Sequence, residues 1–206
     1  SGFGKCSLTA ALPVISAMGV QACPLPTAIL SAQTGFPRYY LDDYTNKMEN
    51  FRSEWGKMNV SFDGIYTGFT ASEEQFHQIF CFLETFKTPN NFLLVDPVLG
   101  DDGNTYDMFT KKLLGLMKEL VSKADIITPN LTELCLLAGG NYTEILKTAD
   151  SHDLLLKILG LARTLCNHGP AHVIVTGIHF TDEHGVKKMG NLYATKNSYD
   201  FLSFPY

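Results

Sequence analysis

Continuous apolar runs alternate along the chain with segments in which apolar residues recur every three or four positions. The runs predict strands, and the periodic segments predict helices with one buried face. The stretch NFLLVDPV is the clearest run and is typical of a strand buried on both faces. We predict strands over 20–30, 62–69, 91–98, 124–130 and 172–178. We predict helices over 5–18, 42–58, 72–86, 107–121, from 131 onward, and over 151–167.

The order of these elements predicts the fold class. Strands and helices alternate over most of the chain, which favours an α/β fold with a mostly parallel sheet and helices on both faces. Asp42 and Gly19 are the expected N-cap and C-cap of the helices beside them. After Gly185 the stretches KKMGNLYAT and SYDFLSFPY predict two antiparallel edge strands. We find no internal repeat or linker, so we expect residues 1–206 to form a single domain.

Composition excludes several classes of function. The net charge is −5 and no Lys/Arg cluster occurs, which argues against a nucleic-acid partner. The longest apolar stretch, 154–162, is interrupted by Lys157 and is too short to span a bilayer. The five cysteines are scattered without a Cys-x-x-Cys pair, so neither a zinc site nor a disulfide framework is indicated. We expect a cytoplasmic protein without a membrane partner.

The glycine-rich start, residues 2–7, has some features of a nucleotide-binding P-loop. That motif requires a Ser or Thr after Gly-Lys to hold magnesium, and a strand before it. Here Cys6 follows Gly4 and Lys5, and no strand precedes them. We therefore do not assign a P-loop, and we expect a solvated Lys5 side chain.

Polar residues and glycines lie at the end of the predicted strands. In parallel α/β folds, ligands gather at the carboxyl ends of the strands. Turn residues also occur there in purely structural sheets, so the pattern alone favours a site only modestly. The strand-end groups are Thr34-Gly35, Thr67-Gly68-Phe69, Asp96-Pro97-Val98, Thr128-Pro129-Asn130 and Thr176-Gly177.

The loop DPVLGDDG (96–103) contains three carboxylates. Asp101 and Asp102 suit an ordinary turn. Asp96 follows a buried apolar run, a placement that is unfavourable for a carboxylate without a partner. We therefore predict that Asp96 binds a cation or a phosphate-bound metal.

The stretch ITPNLTEL (127–134) allows two interpretations. Asn130 and Glu133 have the spacing of a capping box, which could account for both side chains. Alternatively, both side chains face the strand ends and Glu133 organises magnesium through water.

Six segments, taken in order and spacing, resemble the ribokinase-like superfamily and specifically its vitamin B6 kinase branch. Hydroxymethylpyrimidine kinases share the same skeleton. The similarity spans nearly the whole chain and implies a three-layer fold with a mostly parallel central sheet. The segments are the N-terminal glycine loop, ILSAQTGF (29–36), TGFT (67–70), DPVLGD (96–101), ITPNLTEL (127–134) and VIVTG (173–177).

This resemblance implies a role for each matching residue. The early glycine loop, with Gly2, lies on the substrate side, where Gln33 replaces a frequent histidine and Phe69 replaces a frequent tyrosine. The implied substrate-binding residues are Gly2, Gln33, Thr34 and Phe69. The implied metal residues are Asp96, Asp101, Thr128 and Glu133, and the implied ATP-binding residues are Asn130, Thr176 and Gly177. The cofactors would be ATP and Mg²⁺, and whether a monovalent cation joins them stays open.

The implied reaction transfers the γ-phosphoryl group of ATP to a hydroxymethyl group of pyridoxal, pyridoxine or pyridoxamine. A hydroxymethylpyrimidine is the alternative substrate, and a catalytically inactive ligand-binding paralogue is the alternative of another class. A sugar or nucleoside kinase is disfavoured, because we see no larger N-terminal lid with sugar-binding polar residues. The resemblance also implies a homodimer.

The family's general base is the Asp of a Gly-x-Gly-Asp motif, which residues 1–206 do not contain. The catalytic residue is therefore unknown. We expect that this segment, beyond Tyr206, and the first strand, before Ser1, belong to a longer protein. A sheet without them would expose unpaired edges and apolar faces.

Overall fold

The computed structural model describes residues 1–106, 109–148 and 151–206. They divide into two compact units. The N-terminal unit comprises Ser1–Ser61 and Phe69–Phe86, and the sheet unit comprises Phe62–Gly68 and Lys87–Tyr206. The expected single domain of residues 1–206 therefore stays a prediction.

The N-terminal unit contains three helices and a two-stranded antiparallel sheet among its described residues. The helices are α1 Leu8–Ala17, α2 Thr45–Lys57 and α3 Glu73–Phe86. The strands are β1 Ala28–Leu30 and β2 Leu41–Asp43, with Ile29 opposite Asp42.

The predicted helix cap at Asp42 is wrong, because Asp42 lies in β2 and α2 begins three residues later. Tyr44 is the N-cap of α2 and makes no side-chain capping bond, while Asp43 Oδ1 accepts a hydrogen bond from the Thr45 backbone N–H at 2.8 Å. The strand predicted over 20–30 is shorter than expected and begins at Ala28. The predicted cap at Gly19 agrees better, since Gly19 follows α1 with a φ of +78°. Helix α3 begins at Glu73, one residue after its predicted start.

The described residues of the sheet unit form a six-stranded sheet and a short hairpin. The strands are β3 Gly64–Thr67, β4 Phe92–Val95, β5 Gly100–Asp101, β6 Asn104–Thr105, β7 Ile126–Ile127, β8 His172–Thr181, β9 Lys187–Ala194 and β10 Tyr199–Pro205. The spatial order in the six-stranded sheet is β10-β9-β8-β7-β4-β3, with β3, β4, β7 and β8 parallel and β8, β9 and β10 antiparallel. Strands β5 and β6 form the hairpin. The mostly parallel sheet and its antiparallel C-terminal strands confirm the predicted fold class.

The described residues of the sheet unit form four helices. They are α4 Lys111–Ser122, α5 Leu131–Ala138, α6 Tyr142–Leu146 and α7 Ser151–Cys166. Thr110 caps α4 by accepting from the Leu113 backbone N–H at 3.1 Å. The start predicted at 107 lies outside the described residues, and α4 begins at Lys111, after its N-cap Thr110.

Alternate residues of the parallel strands face an apolar core. Leu93, Val95, Ile127 and Val173 are all 0% exposed. Phe92, the first residue of β4, is 46% exposed. The prediction that β4 is buried on both faces is therefore wrong for this residue.

Two exclusions made from the sequence can be compared with the structure. All five cysteines are free. Among the described residues, we find no helix with the length and apolar character needed to cross a bilayer.

Candidate functional site

Two predicted site residues follow the carboxyl ends of neighbouring parallel strands in the sheet unit, and a third lies on the next strand. Asp96 follows β4, and its backbone N–H donates to the Thr67 carbonyl oxygen at 2.9 Å. Thr128 follows β7, and its N–H donates to the Val95 carbonyl oxygen at 3.1 Å. Thr176 lies on β8, the next strand. The sheet register therefore brings these residues to one edge.

Asp96 is held by side chains on both neighbouring strands. The Tyr66 hydroxyl donates to Asp96 Oδ2 at 3.4 Å, and the Thr128 side chain also hydrogen-bonds the carboxylate. Burial nevertheless raises the pKa of Asp96, because burial outweighs the two hydrogen bonds that lower it. A carboxylate in this state gains from a cation or another charged donor nearby.

Glu133 is more deeply buried, at 4% exposed. Its Oε1 accepts from the Leu99 backbone N–H at 3.2 Å, and its Oε2 accepts from the Asn130 N–H at 2.9 Å. These bonds favour the ionised carboxylate, but burial acts in the opposite direction and is the larger effect. Together with the charge of Asp96, burial raises the pKa of Glu133 to about 8. Glu133 thus ties the loop after β4 to the start of α5.

The capping box predicted from Asn130 and Glu133 is confirmed. Asn130 Oδ1 accepts from the Glu133 N–H at 3.0 Å, while Asn130 Nδ2 donates to the Gly100 carbonyl oxygen at 2.8 Å. The Asn130 backbone forms an isolated parallel bridge with Thr176. Asn130 therefore joins the loop after β4, α5 and β8. Its contact with a nucleotide phosphate stays a prediction.

The sequence predicted a strand end at Thr176 and Gly177, but the structure places both residues inside β8. Strand β8 continues to Thr181, and its register with β9 shifts between Val175 and Ile178. Gly177 adopts a φ of +64° in this bulge, and its N–H donates to Asn191 Oδ1 at 3.1 Å. The bulge therefore lies on the strand that pairs in parallel with β7 and antiparallel with β9.

Asp101 lies apart from the buried pair, in the exposed hairpin of β5 and β6. Its Oδ1 accepts from the Asp102 N–H at 2.9 Å. Even so, the charges of Asp101 and of the other carboxylates act on the Tyr106 hydroxyl. Burial, followed by the charges of Asp101, Glu133 and Asp96, raises the pKa of Tyr106. Asp96, Asp101 and Glu133 therefore all lie near the Tyr106 side chain.

The acidic residues fit a magnesium ion only in part. Carboxylate and hydroxyl oxygens of Asp96, Thr128 and Glu133 are the donors that Mg²⁺ prefers. Within the described ranges, however, no three Asp, Glu, His or Cys side chains gather closely enough to hold a metal on their own. This donor set suits an ion that keeps several waters and takes phosphate oxygens as further ligands.

The predicted substrate residues belong to the N-terminal unit. The Gly2 N–H donates to the Leu30 carbonyl oxygen at 2.8 Å, and the Gln33 N–H donates to the Phe3 carbonyl oxygen at 2.9 Å. These bonds join the backbone of residues 2–3 to that of residues 30–33, so Gly2 and Gln33 lie close together. The exposed Thr34 follows in the turn after Gln33.

The Gln33 side chain packs on its own turn. Its Oε1 accepts from the Gly35 N–H at 2.9 Å. Gly4 has a φ of +98°, and a Cβ there would lie 2.5 Å from Gln33 Cγ. Gly4 therefore leaves room for the Gln33 side chain, and contact of the early glycine loop with the substrate stays a prediction. Lys5 is exposed, as expected.

Sequence reasoning did not single out Tyr66 or Tyr106. Tyr66 contacts Asp96 because position 66 on β3 pairs with position 94 on β4, two residues before the carboxylate. Its place in an apolar strand gave no sign of a polar contact. Tyr106 lies just beyond the Asp-Asp-Gly turn, and spacing could have suggested its proximity to Asp101.

The phosphomethylpyrimidine kinase family matches residues 4–203. This match covers far more than half of the chain. The chain therefore belongs to the phosphomethylpyrimidine kinase family, within the ribokinase-like kinases that its motifs resemble.

Curated relatives include pyridoxal kinases. The pyridoxal kinase of Dictyostelium discoideum is 26% identical over 194 residues, which are 89% of this chain and 62% of the relative. The pyridoxal kinase PdxY of Proteus mirabilis is 29% identical over 165 residues, which are 77% of this chain and 54% of the relative. The chain thus spans little more than half the length of these relatives.

Solved structures show the same fold. A candidate phosphomethylpyrimidine kinase from Bacteroides thetaiotaomicron, crystallised with pyridoxal, is 39% identical with a TM-score of 0.87. The alignment covers 100% of this chain and 69% of that chain. The pyridoxal kinase of Lactobacillus plantarum is 28% identical with a TM-score of 0.81, again over 100% of this chain and 69% of that one.

Proposed function

We propose that the natural protein phosphorylates the hydroxymethyl group of a vitamin B6 vitamer, with ATP as the phosphoryl donor. The observation that carries this proposal is the pyridoxal-bound relative, which is 39% identical along the whole of this chain. The substrate-side segments, with Gly2, Gln33, Thr34 and Phe69, are the residues proposed to contact the vitamer.

In the proposed reaction the vitamer hydroxyl oxygen forms a bond to Pγ of ATP while the bond from Pγ to the bridging β-phosphate oxygen breaks. The products are the phosphate ester and ADP, and the hydroxyl proton passes to a base that we do not assign to any residue of this chain. Catalysis of this type relies mainly on positioning and on neutralising negative charge.

The strand-end residues would serve the nucleotide side. Mg²⁺, when bound, neutralises the phosphate oxygens during transfer. Asp96, Asp101, Thr128 and Glu133 would hold the ion directly or through water. Asn130, Thr176 and Gly177 would contact the phosphates, and a monovalent cation near Asp96, Thr128 and Thr176 is a further proposal.

A hydroxymethylpyrimidine is the second candidate substrate, because the matching family is that of phosphomethylpyrimidine kinases. Both acceptors are small aromatic heterocycles with a primary hydroxymethyl group. The same site could therefore accept either ring, and only a direct comparison separates them.

The test is a substrate panel on the purified natural protein. ADP release and product mass are measured with Mg-ATP and each of pyridoxal, pyridoxine, pyridoxamine and hydroxymethylpyrimidine. We expect a vitamer 5′-phosphate to form with the highest kcat/KM. Phosphorylation of hydroxymethylpyrimidine alone would establish the second candidate, and binding without any phosphorylation would contradict the kinase proposal.

The assembly and location of the protein are also proposals. We propose a cytoplasmic homodimer, from the resemblance to the vitamin B6 kinases. Light scattering coupled to size-exclusion chromatography should give twice the mass of the natural chain, and the mass of one chain would contradict the dimer.

A further inference from the structure

The N-terminal unit contains a buried amide side chain that the proposed reaction does not use. Gln75 lies on α3 and is 0% exposed. Its Nε2 donates to the Thr27 carbonyl oxygen at 2.9 Å and to Thr45 Oγ1 at 3.0 Å, with a longer contact of 3.3 Å to Asp43 Oδ1. A buried amide needs such partners, so these bonds alone would be structural.

The acceptor oxygen of Gln75 has a different partner. Gln75 Oε1 accepts from the Ala71 backbone N–H at 2.7 Å. Ala71 lies two residues after Phe69, the residue proposed to lie against the substrate ring. Gln75 therefore fixes the end of the segment 69–71.

Thr27 fixes the beginning of the same segment. Thr27 Oγ1 donates to the Phe69 carbonyl oxygen at 2.9 Å, while its own carbonyl oxygen accepts from Gln75. One residue thus joins both ends of the arrangement. Each of these three bonds is made by groups without a net charge.

The opposite side of the amide is held by the junction of β2 and α2. Asp43 Oδ1 accepts from the Thr45 N–H at 2.8 Å, and the Thr45 hydroxyl also donates to this carboxylate. These bonds, with the one from Gln75, lower the pKa of Asp43. The junction therefore holds Gln75 in a single orientation.

We propose that Gln75 and Thr27 are positioning residues that hold Phe69 in place for the aromatic heterocycle. This inference rests on the proposed function, since it concerns the same substrate. Neither residue needs to touch the substrate, because both act through the backbone of the segment 69–71. Fixing this segment before binding reduces the entropy lost when the ring is bound.

The central variant is Thr27→Val, which removes the hydroxyl but keeps the shape of the side chain. We expect the dissociation constant of pyridoxal, titrated without ATP, to rise by about 3- to 10-fold, as for the loss of one hydrogen bond. The KM for ATP should stay unchanged. Thr164→Val is the matched control, because the exposed Thr164 Oγ1 donates to the Gly160 carbonyl oxygen of its own helix, at 3.0 Å.

Hydrogen exchange gives a second readout that does not depend on activity. In Gln75→Met the Ala71 N–H loses its acceptor, so we expect its exchange to become at least about 10-fold faster, while α7 amides keep their rates. An unchanged Ala71 rate, or an unchanged pyridoxal affinity in Thr27→Val, would overturn the inference. Failure of the proposed function would appear differently, as no pyridoxal binding by the unsubstituted protein.

Discussion

Asp96 and Glu133 in the sheet unit and Gln75 in the N-terminal unit are all polar groups removed from water, but their partners differ. Gln75 is neutral, and its carbonyl oxygen and amino group both have short hydrogen bonds. Asp96 and Glu133 also accept hydrogen bonds, yet burial raises the pKa of both. The amide is therefore satisfied within the protein, whereas the carboxylates would be stabilised further by a cation.

The comparison assigns different roles to the two regions. A satisfied neutral network rigidifies the backbone that it bonds. Carboxylates that destabilise the folded state when ionised are typical of sites that bind charged ligands. We therefore expect substitutions in the N-terminal unit to affect stability and substrate affinity, and substitutions at the strand ends to affect turnover.

The largest effect is expected for Asp96→Asn. Asparagine has the size of aspartate but lacks the negative charge that would hold Mg²⁺ beside the phosphates. We therefore expect kcat to fall by about 100- to 1,000-fold, as when other groups that stabilise transition-state charge are removed. The melting temperature should stay unchanged or rise, because a carboxylate with a raised pKa is removed. Steady-state kinetics and thermal unfolding of the same sample check both statements. A lower melting temperature with unchanged kcat would contradict the assignment.

Gln75→Leu is expected to act on stability instead. Leucine leaves the Ala71 N–H without its acceptor and removes the hydrogen bonds to Thr45 Oγ1 and to the Thr27 carbonyl oxygen, which keeps its bond from the Tyr44 N–H. An unsatisfied group costs about 1–3 kcal/mol and each other lost bond about 0.5–1.5 kcal/mol, so the free energy of unfolding should fall by about 2–5 kcal/mol. Urea unfolding measures it, with Gln78→Leu as a control on the same helix. Equal losses in both variants would argue against a special role for Gln75.

Glu133 predicts a pH dependence of stability. Its pKa rises from 4.5 in the unfolded chain to about 8 in the folded protein. Between these values the folded state binds the extra proton, so the Glu133 contribution to the free energy of unfolding falls as pH rises from 4.5 to about 8 and then levels off. Unfolding of the natural protein and of Glu133→Gln across this window isolates the effect. A contribution that rises with pH would contradict it.

Tyr66→Phe should have the smallest effect. The hydroxyl bonds Asp96 at a long 3.4 Å, and the side chain is 51% exposed. We expect kcat to fall about 2- to 5-fold, with little change in the melting temperature. The same kinetic assay checks this, and a loss as large as that of Asp96→Asn would mean that Tyr66 has a more direct role.

The sequence predicted the sheet unit better than the N-terminal unit. Asp96 and Thr128 were predicted correctly at strand ends, because apolar runs mark buried strands and parallel strands bring their carboxyl ends to one edge. The capping box of Asn130 and Glu133 was found from local spacing alone. Interactions of this kind depend on neighbours in the chain or on the register of regular strands.

Contacts between distant segments were not predictable in the same way. Asp42 is a residue type that often caps helices, but its pairing with Ile29 places it in a strand. Gln75 lies in a predicted helix, but its local sequence does not indicate the hydrogen bond to Thr27, 48 residues earlier. Gly177 suggested a strand end, because no local signal shows that β8 continues past the bulge beside β9.

The most direct test of the account compares Asp96→Asn and Thr27→Val in one pyridoxal phosphorylation assay on the natural protein. We predict that Asp96→Asn lowers kcat and leaves the KM for pyridoxal within about 2-fold, whereas Thr27→Val raises that KM by about 3- to 10-fold and leaves kcat unchanged. A change in the same parameter by both variants would contradict the division between the two regions. Absence of pyridoxal phosphorylation by the unsubstituted protein would contradict the proposed function.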